Sequence, residues 1–235
     1  MAYHFQEGEV LLIDKPLEWT SFDVVNFIRS FLRKTYNLKK LKVGHAGTLD
    51  PLASGLLIVC TGKMTKKINE FQDLDKVYIG QMKLGATTPS FDKETEEDHH
   101  FDYSNITKDD LERAAKALTG TIEQIPPMYS AIKIDGKRAY EHARKNQEKA
   151  LTPRKVTIHE FTLLNTALPY VDFLIKSSKG TYIRSLARDF GKLLNNGAYL
   201  TALRRTQIGD FKVSDAMTIE QFRENVLKET GNTSV

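Results

Sequence analysis

The segment GHAGTLDPLASGLL, Gly44 to Leu57, sets His45 and Asp50 in a stretch whose other residues are small, apolar or hydroxylic. Gly44, Ala46 and Gly47 leave room for a ligand or a nucleotide to approach the backbone closely. An aspartate held in such a loop is a candidate nucleophile or base, provided a cation keeps it ionised in a partly dry site. Arg184, in SKGTYIRSLARDFG, is a candidate for that cation, because the glycine turn before it presents it at a helix start. The same residues also have a plain structural reading. Asp50 followed by Pro51 is a good helix start, with the carboxylate capping free amides, and His45 can be an ordinary hydrogen-bonded loop histidine. The local pattern leaves both readings open.

Other chemistries fit poorly. Gly55 and Gly62-Lys63 resemble a phosphate loop, but six residues separate the glycines where the motif has four, and Met64 stands where it needs Ser or Thr. No dinucleotide-type glycine fingerprint follows a strand. Among His45, His99, His100, His142 and His159 no pair has helical ligand spacing, so no metal site is expected. The single cysteine, Cys60, excludes an internal disulfide and reads as a buried thiol within LLIVC.

The formal charge of +4 is only mildly basic, but its distribution is uneven. RSFLRKTYNLKKLK carries Arg29, Arg33, Lys34, Lys39, Lys40 and Lys42, and KIDGKRAYEHARK carries Lys133, Lys137, Arg138, Arg144 and Lys145. Tyr36, Tyr129 and Tyr140 lie within or beside these clusters. Cations for phosphates with flat rings for unstacked bases are the footprint of a nucleic-acid partner. No apolar run is long enough to span a bilayer and the N-terminus lacks the order of a signal peptide, so a cytoplasmic protein is expected.

The elements that must position these residues are several sequence-adjacent strands with helices between the groups, not a strict alternation of strand and helix. EVLLID reads as a buried strand, followed by a helix capped at Thr20 or Ser21 with Phe27, Ile28, Phe31 and Leu32 at helical spacing. KMTKKINEF reads as a short basic helix, and KVYIGQMKL as a strand with Tyr78, Gly80, Met82 and Leu84 on one face. TTPSFDKETEEDHH reads as an exposed acidic loop. Thr107 caps DDLERAAKAL, and Gly120 stops it. A turn at Asp135-Gly136 precedes a basic helical segment ending near Asn146. Strands KVTIHEFTLLNT and YVDFLIKSS, the amphipathic helix TYIRSLARDFGKLL, two short runs (LTALRR and IGDFKV) and a helix near 218 to 228 complete the chain. This order predicts one α+β domain over 1–235, with a mainly antiparallel central sheet flanked by helices, and 124–155 as an insertion.

The sequence resembles the TruB family of tRNA pseudouridine synthases. GHAGTLDPLASGLL is similar to that family's catalytic motif, and VLLIDKP, KVYIGQMKLG, IPPMYSAIKIDGKRAYEHAR, SKGTYIRSLARDFG and LTALRR follow the family's order over about residues 8 to 223. The resemblance implies the pseudouridine synthase fold and isomerisation of uridine 55 in the tRNA T loop by base flipping, with no cofactor and no metal. Asp50 would be the catalytic aspartate. Tyr78 would stack on the flipped uracil and assist proton removal from its C5. Arg184 would pair with Asp50, Tyr182 and Leu203 would line the uridine pocket, and His45 would lie against the RNA near the extruded base. The 124–155 segment would be the RNA-binding thumb, with Lys133, Lys137, Arg138 and Arg144 on phosphates.

The resemblance further implies a monomer that binds the T-stem loop without a guide RNA or protein partner. The chain stops where many members continue into a C-terminal RNA-binding domain, and a complete one is not expected here. TTPSFDKETEEDHH departs from the family's shorter acidic turn. Two rival functions remain: a tRNA-binding and folding module with little isomerase activity, and an aspartate-nucleophile hydrolase, which leaves the basic-aromatic clusters unexplained.

Overall fold

The apolar run after the first glycine forms β1 (Val10–Lys15), whose alternate residues Leu11, Ile13 and Lys15 point inward. A computed structural model describes residues 3–130, 132–134, 136–139, 141 and 151–231. By its internal contacts the chain forms two units, the first comprising Met1–Tyr78 with Arg204–Val235 and the second Ile79–Leu203.

In the first unit, Thr20 and Asp23 close a reciprocal cap on α1 (Ser21–Thr35), as the sequence predicts. The buried face of α1 carries Val24, Val25, Ile28 and Leu32. β2 (Val43–Ala46) and β1 both pair antiparallel with β3 (Ala53–Thr61), in register Val43↔Thr61 and Val10↔Cys60. This arrangement explains why LLIVC, Leu56–Cys60, is an unbroken apolar run, since every residue of it is buried. Burial pushes the Cys60 thiol up to about 11, so it is an inert core group. Gly62–Lys67 is a 3₁₀ turn that leads into α2 (Ile68–Asp73), so the predicted basic helix is split in two.

The second unit takes most of β4 (Lys76–Leu84). β5 (Ala86–Thr87) then pairs with β6 (His99–His100), and α3 (Lys108–Ala117) begins at the Thr107 and Asp110 cap. β7 (Gly120–Gln124), the small hairpin β8 (Lys133–Ile134) and β9 (Lys137–Arg138), β10 (Arg154–Ala167), β11 (Tyr170–Ser177) and α4 (Ile183–Leu193) follow. Strands β4, β11, β10 and β7 lie in that order. β12 (Ala198–Ile208) crosses back into the first unit, which ends with β13 (Phe211–Lys212), a 3₁₀ turn and α5 (Ile219–Glu229). α5 buries Phe222 and Val226 in the cluster that also holds Leu11, Ile13, Ile28, Leu57 and Val59.

The pairings between named strands described within each unit are antiparallel, beside one isolated parallel bridge from Ile13 to Met217, and the fold class is the expected α+β. Three local expectations change. Asp50-Pro51 starts no helix: Ala53 N–H donates to the Asp50 carbonyl at 3.0 Å, and this turn leads directly into β3. Lys137–Arg138 is strand, where a basic helix was expected, because Gly136 at φ +81 turns the chain back on Lys133–Ile134. Ala139 and Glu141 are helical, and the rest of that expected helix, to near Asn146, lies outside the described residues. The acidic loop is not uniformly exposed, since Thr88, Ser90 and Asp92 are buried. Gln124 pairs with Arg154, so the segment between β7 and β10 leaves and returns at neighbouring points.

Candidate functional site

In the first unit, the loop between β2 and β3 is fixed from three sides. Ser21 Oγ accepts from Leu49 N–H at 2.8 Å, and Glu18 N–H donates to the Pro51 carbonyl at 2.8 Å. The third support is Arg205, only 1% exposed, which donates from Nε to the Leu56 carbonyl at 2.8 Å and from Nη2 to the Gly47 carbonyl at 3.0 Å. Gly47, at φ +86, is the position where the chain turns to present that carbonyl. The half-buried Asp50 is thus carried on a tethered loop and not on a flexible one.

Two buried cations, Lys15 and Arg205, belong to the same unit as this loop. Lys15 is 0% exposed and donates from Nζ to the Trp19 carbonyl at 2.6 Å and the Pro16 carbonyl at 2.8 Å. Burial, first, and the Arg205 charge lower its pKa to about 8, while the Asp50 carboxylate opposes the fall. Lys15 is therefore a cation at neutral pH within electrostatic reach of Asp50. Burial and then the Arg205 charge also lower the His45 pKa, so this imidazole is neutral at neutral pH. Tyr78 is buried on β4, in the part of that strand belonging to the first unit.

The second unit holds Tyr182, Arg184 and the half-buried Leu203. Tyr182 is the residue before α4 and Arg184 is in its first turn. The buried Arg184 guanidinium lies 3.5 Å from the buried Asp92 carboxylate and donates to the Tyr129 carbonyl at 2.8 Å and the Ser90 carbonyl at 3.2 Å. Thr88 and Ser90 hydroxyls both donate to the Asp92 carbonyl, at 2.7 and 3.2 Å, and shape the turn that delivers this carboxylate.

Residues 33–183 match the model of the N-terminal domain of the TruB family pseudouridylate synthases. The chain belongs to the TruB family. Residues 184–234 match the model of the tRNA pseudouridylate synthase B C-terminal domain. The tRNA pseudouridine synthase B of Phocaeicola vulgatus is 53% identical over 221 residues, covering 94% of each chain. That of Flavobacterium johnsoniae is 53% identical over 94% of this chain and 97% of its own. Among solved structures, a chain of a Cbf5-Nop10-Gar1 complex superposes with a TM-score of 0.72 at 29% identity, over 97% of this chain and 57% of that one. The pseudouridine synthase fold is thereby shown.

Three residues that shape the candidate site of this TruB-family protein do not stand out in its sequence. Lys15 reads as the end of a strand, Arg205 as one of two adjacent arginines, and Asp92 as one more acid in a solvated loop. Strand alternation carried a usable signal for the arginines: one of Arg204 and Arg205 must face inward, and Arg204 turns out to pair with Asp14 at 2.7 Å while Arg205 is buried.

The TruB-family chain also brings two basic sequence runs together. Arg29, Arg33, Lys39, Lys40 and Lys42 line one groove of the first unit with Lys63 and Lys66 from the 3₁₀ turn, and among the described residues no carboxylate lines it. Of the expected phosphate ligands in the 124–155 segment, Lys133, Lys137 and Arg138 belong to β8 and β9, and Arg144 lies outside the described residues.

Proposed function

We propose that this protein isomerises uridine 55 in the T loop of tRNA to pseudouridine, with Asp50 as the nucleophile. The observation that carries the proposal is the loop Gly47–Pro51, tied by Ser21, Glu18 and Arg205, that holds a half-buried carboxylate within electrostatic reach of the buried Lys15 cation. The names of the relatives, tRNA pseudouridine synthase B, support the substrate and the reaction.

The reaction breaks the N1–C1′ bond of uridine, rotates the base and forms a C5–C1′ bond. The C5 proton leaves and N1 takes one up, so the change is an isomerisation with no oxidant or reductant. Residue chemistry therefore suffices. Asp50 attacks the nucleotide, Arg184 is the cation of the reaction, and Tyr78 is the ring against the flipped uracil and the helper in proton removal from C5. Tyr182 and Leu203 line the uridine pocket, and neutral His45 holds the space left by the extruded base.

Extruding the base costs a few kcal/mol, which stacking on Tyr78 and phosphate contacts offset. The groove of seven cations in the first unit fits a phosphate backbone. The thumb, 124–155, adds Lys133, Lys137, Arg138 and Arg144 as further phosphate ligands. No described helix is long and apolar enough to cross a membrane. We take the protein to work in the cytoplasm as a monomer without a guide RNA.

The test is to incubate the protein with an unmodified tRNA transcript and map pseudouridine at single-nucleotide resolution, beside the Asp50→Asn variant. Modification at position 55 alone, absent in the variant while RNA binding persists, is the expected result. Modification that survives in Asp50→Asn removes Asp50 from its role. Binding without any modification by the wild-type protein would point to a tRNA-folding module.

A further inference from the structure

We propose that Gln124 is a positioning residue for the reaction: its side-chain amide grips the backbone of Tyr182 and so fixes the first turn of α4, from which Arg184 projects. The proposal rests on the reading of Arg184 and Tyr182 as site residues.

Gln124 is a polar side chain at 0% exposure, the last residue of β7. Its Oε1 accepts from Tyr182 N–H at 2.8 Å and its Nε2 donates to the Tyr182 carbonyl at 3.1 Å. A primary amide is the side chain that matches a backbone N–H and C=O at once, and the two bonds fix which end is oxygen. The grip falls where α4 lacks support of its own. Tyr182 occupies the cap position and offers no side-chain cap bond to the helix. Its carbonyl is also the acceptor of the first helical bond, from Leu186 N–H at 3.1 Å. Moving Tyr182 therefore moves the start of the helix, and Arg184 with it.

The same stretch meets α4 again just beyond. Ser185 Oγ donates to the Ile125 carbonyl at 2.9 Å, and Arg184 donates to the Tyr129 carbonyl at 2.8 Å. Gln124 is paired with Arg154 in the strand ladder, so it is a fixed point, whereas Ile125 and Tyr129 belong to the segment that departs from the sheet. Gln124 thus references Tyr182 and Arg184 to the sheet itself. Displacement of a catalytic group by about 1 Å costs up to about 100-fold in rate, so such a reference bears on turnover before it bears on folding.

The experiment compares wild type with Gln124→Met, which keeps the volume and loses both bonds, and Gln124→Glu, which keeps the acceptor and faces the Tyr182 carbonyl with a second oxygen. Ser185→Ala is the control that removes a bond between the same two segments without touching Tyr182. The readouts are the single-turnover rate at saturating T-arm RNA, the RNA Kd, and amide hydrogen exchange across 183–186 against that of β10 and β11. We expect both Gln124 variants to slow the single-turnover step about 10- to 100-fold with Kd little changed, to speed exchange selectively at 183–186, and Ser185→Ala to stay near wild type. A Gln124→Met rate equal to wild type overturns the proposal. So does a Ser185→Ala effect as large as that of Gln124→Met, or exchange that rises uniformly across the second unit. Were the wild-type protein inactive on tRNA, the proposed function would fail by itself, and the exchange at 183–186 would still decide the grip of Gln124.

Discussion

Arg205 and Gly47 are joined by one hydrogen bond of 3.0 Å, from a guanidinium in β12 to the carbonyl at the bend of the loop that carries Asp50. The same guanidinium holds the Leu56 carbonyl at 2.8 Å, so one side chain ties the bend of that loop to the strand that follows it. In Arg205→Met both carbonyls lose a buried donor, at about 1 to 3 kcal/mol each. Lysine keeps the charge but lacks the planar fork that reaches two acceptors at once. We expect Arg205→Met to melt well below wild type and to lose turnover, with Arg205→Lys failing to restore either fully. Thermal unfolding and the rate of pseudouridine formation check this, and a lysine variant equal to wild type would refute the two-point tie.

β3 comes so close to β12 at Gly55 that a Cβ built there meets the Arg205 backbone carbonyl, and Gly55 has φ +105. Alanine must clash with main chain and occupy a conformation that L residues avoid. Gly55→Ala is expected to destabilise by more than about 2 kcal/mol in urea unfolding, and an unchanged midpoint would contradict the close approach.

Lys15 gives stability a pH signature. Its folded pKa is about 8 and its ordinary value 10.5, so between these the unfolded chain binds more protons. A lysine lowered in this way penalises folding fully below pH 8, and the penalty fades as pH rises towards 10.5. The stability of wild type relative to Lys15→Met should therefore climb across that window. Parallel pH profiles for the two proteins in chemical denaturation would show that Lys15 titrates normally.

Asp92 is the acidic partner seen for Arg184 in the second unit, with both groups buried at 3.5 Å. Removing the carboxylate leaves a buried cation with less compensation, a change that costs about 3 to 5 kcal/mol where a pair is fully buried. Asp92→Asn keeps the shape of the turn set by Thr88 and Ser90. We expect it to lower both the melting temperature and the single-turnover rate, with RNA Kd nearly unchanged. An active, equally stable Asp92→Asn would make the pair incidental.

Helix starts were the most legible part of the sequence, because a cap is a local chemical event: Thr20 with Asp23 and Thr107 with Asp110 form the reciprocal bonds their spacing announces. Asp50-Pro51 carries the same local signal and yet begins no helix. The apolar run after it gains more by lying between β1 and β2, so burial overrides the cap. The site was legible only where its residues fall in recognisable blocks. Asp92 was hidden because burial of one acid among exposed ones depends on where Arg184 ends up, which no local pattern encodes. Gln124 was hidden for the same reason, since its partner is Tyr182, 58 positions away.

The basic groove makes the last prediction, and it concerns binding alone. Lys40 and Lys63 are exposed, belong to different sequence runs and line the same groove as Arg29, Arg33 and Lys66. If phosphates of the tRNA lie along it, each neutralised lysine should remove one released counterion, which lowers the slope of log K against log salt by about 0.7 to 0.9. The double variant Lys40→Gln with Lys63→Gln should therefore bind more weakly at low salt, with a slope smaller by about 1.5, and converge on wild type as salt rises. The single-turnover rate at saturating RNA should stay the same, because neither lysine belongs to the loop that carries Asp50. Filter binding of a tRNA transcript over a salt series measures the slope. A double variant with the wild-type slope would remove the groove from the RNA path and leave the thumb lysines and arginines as the phosphate ligands.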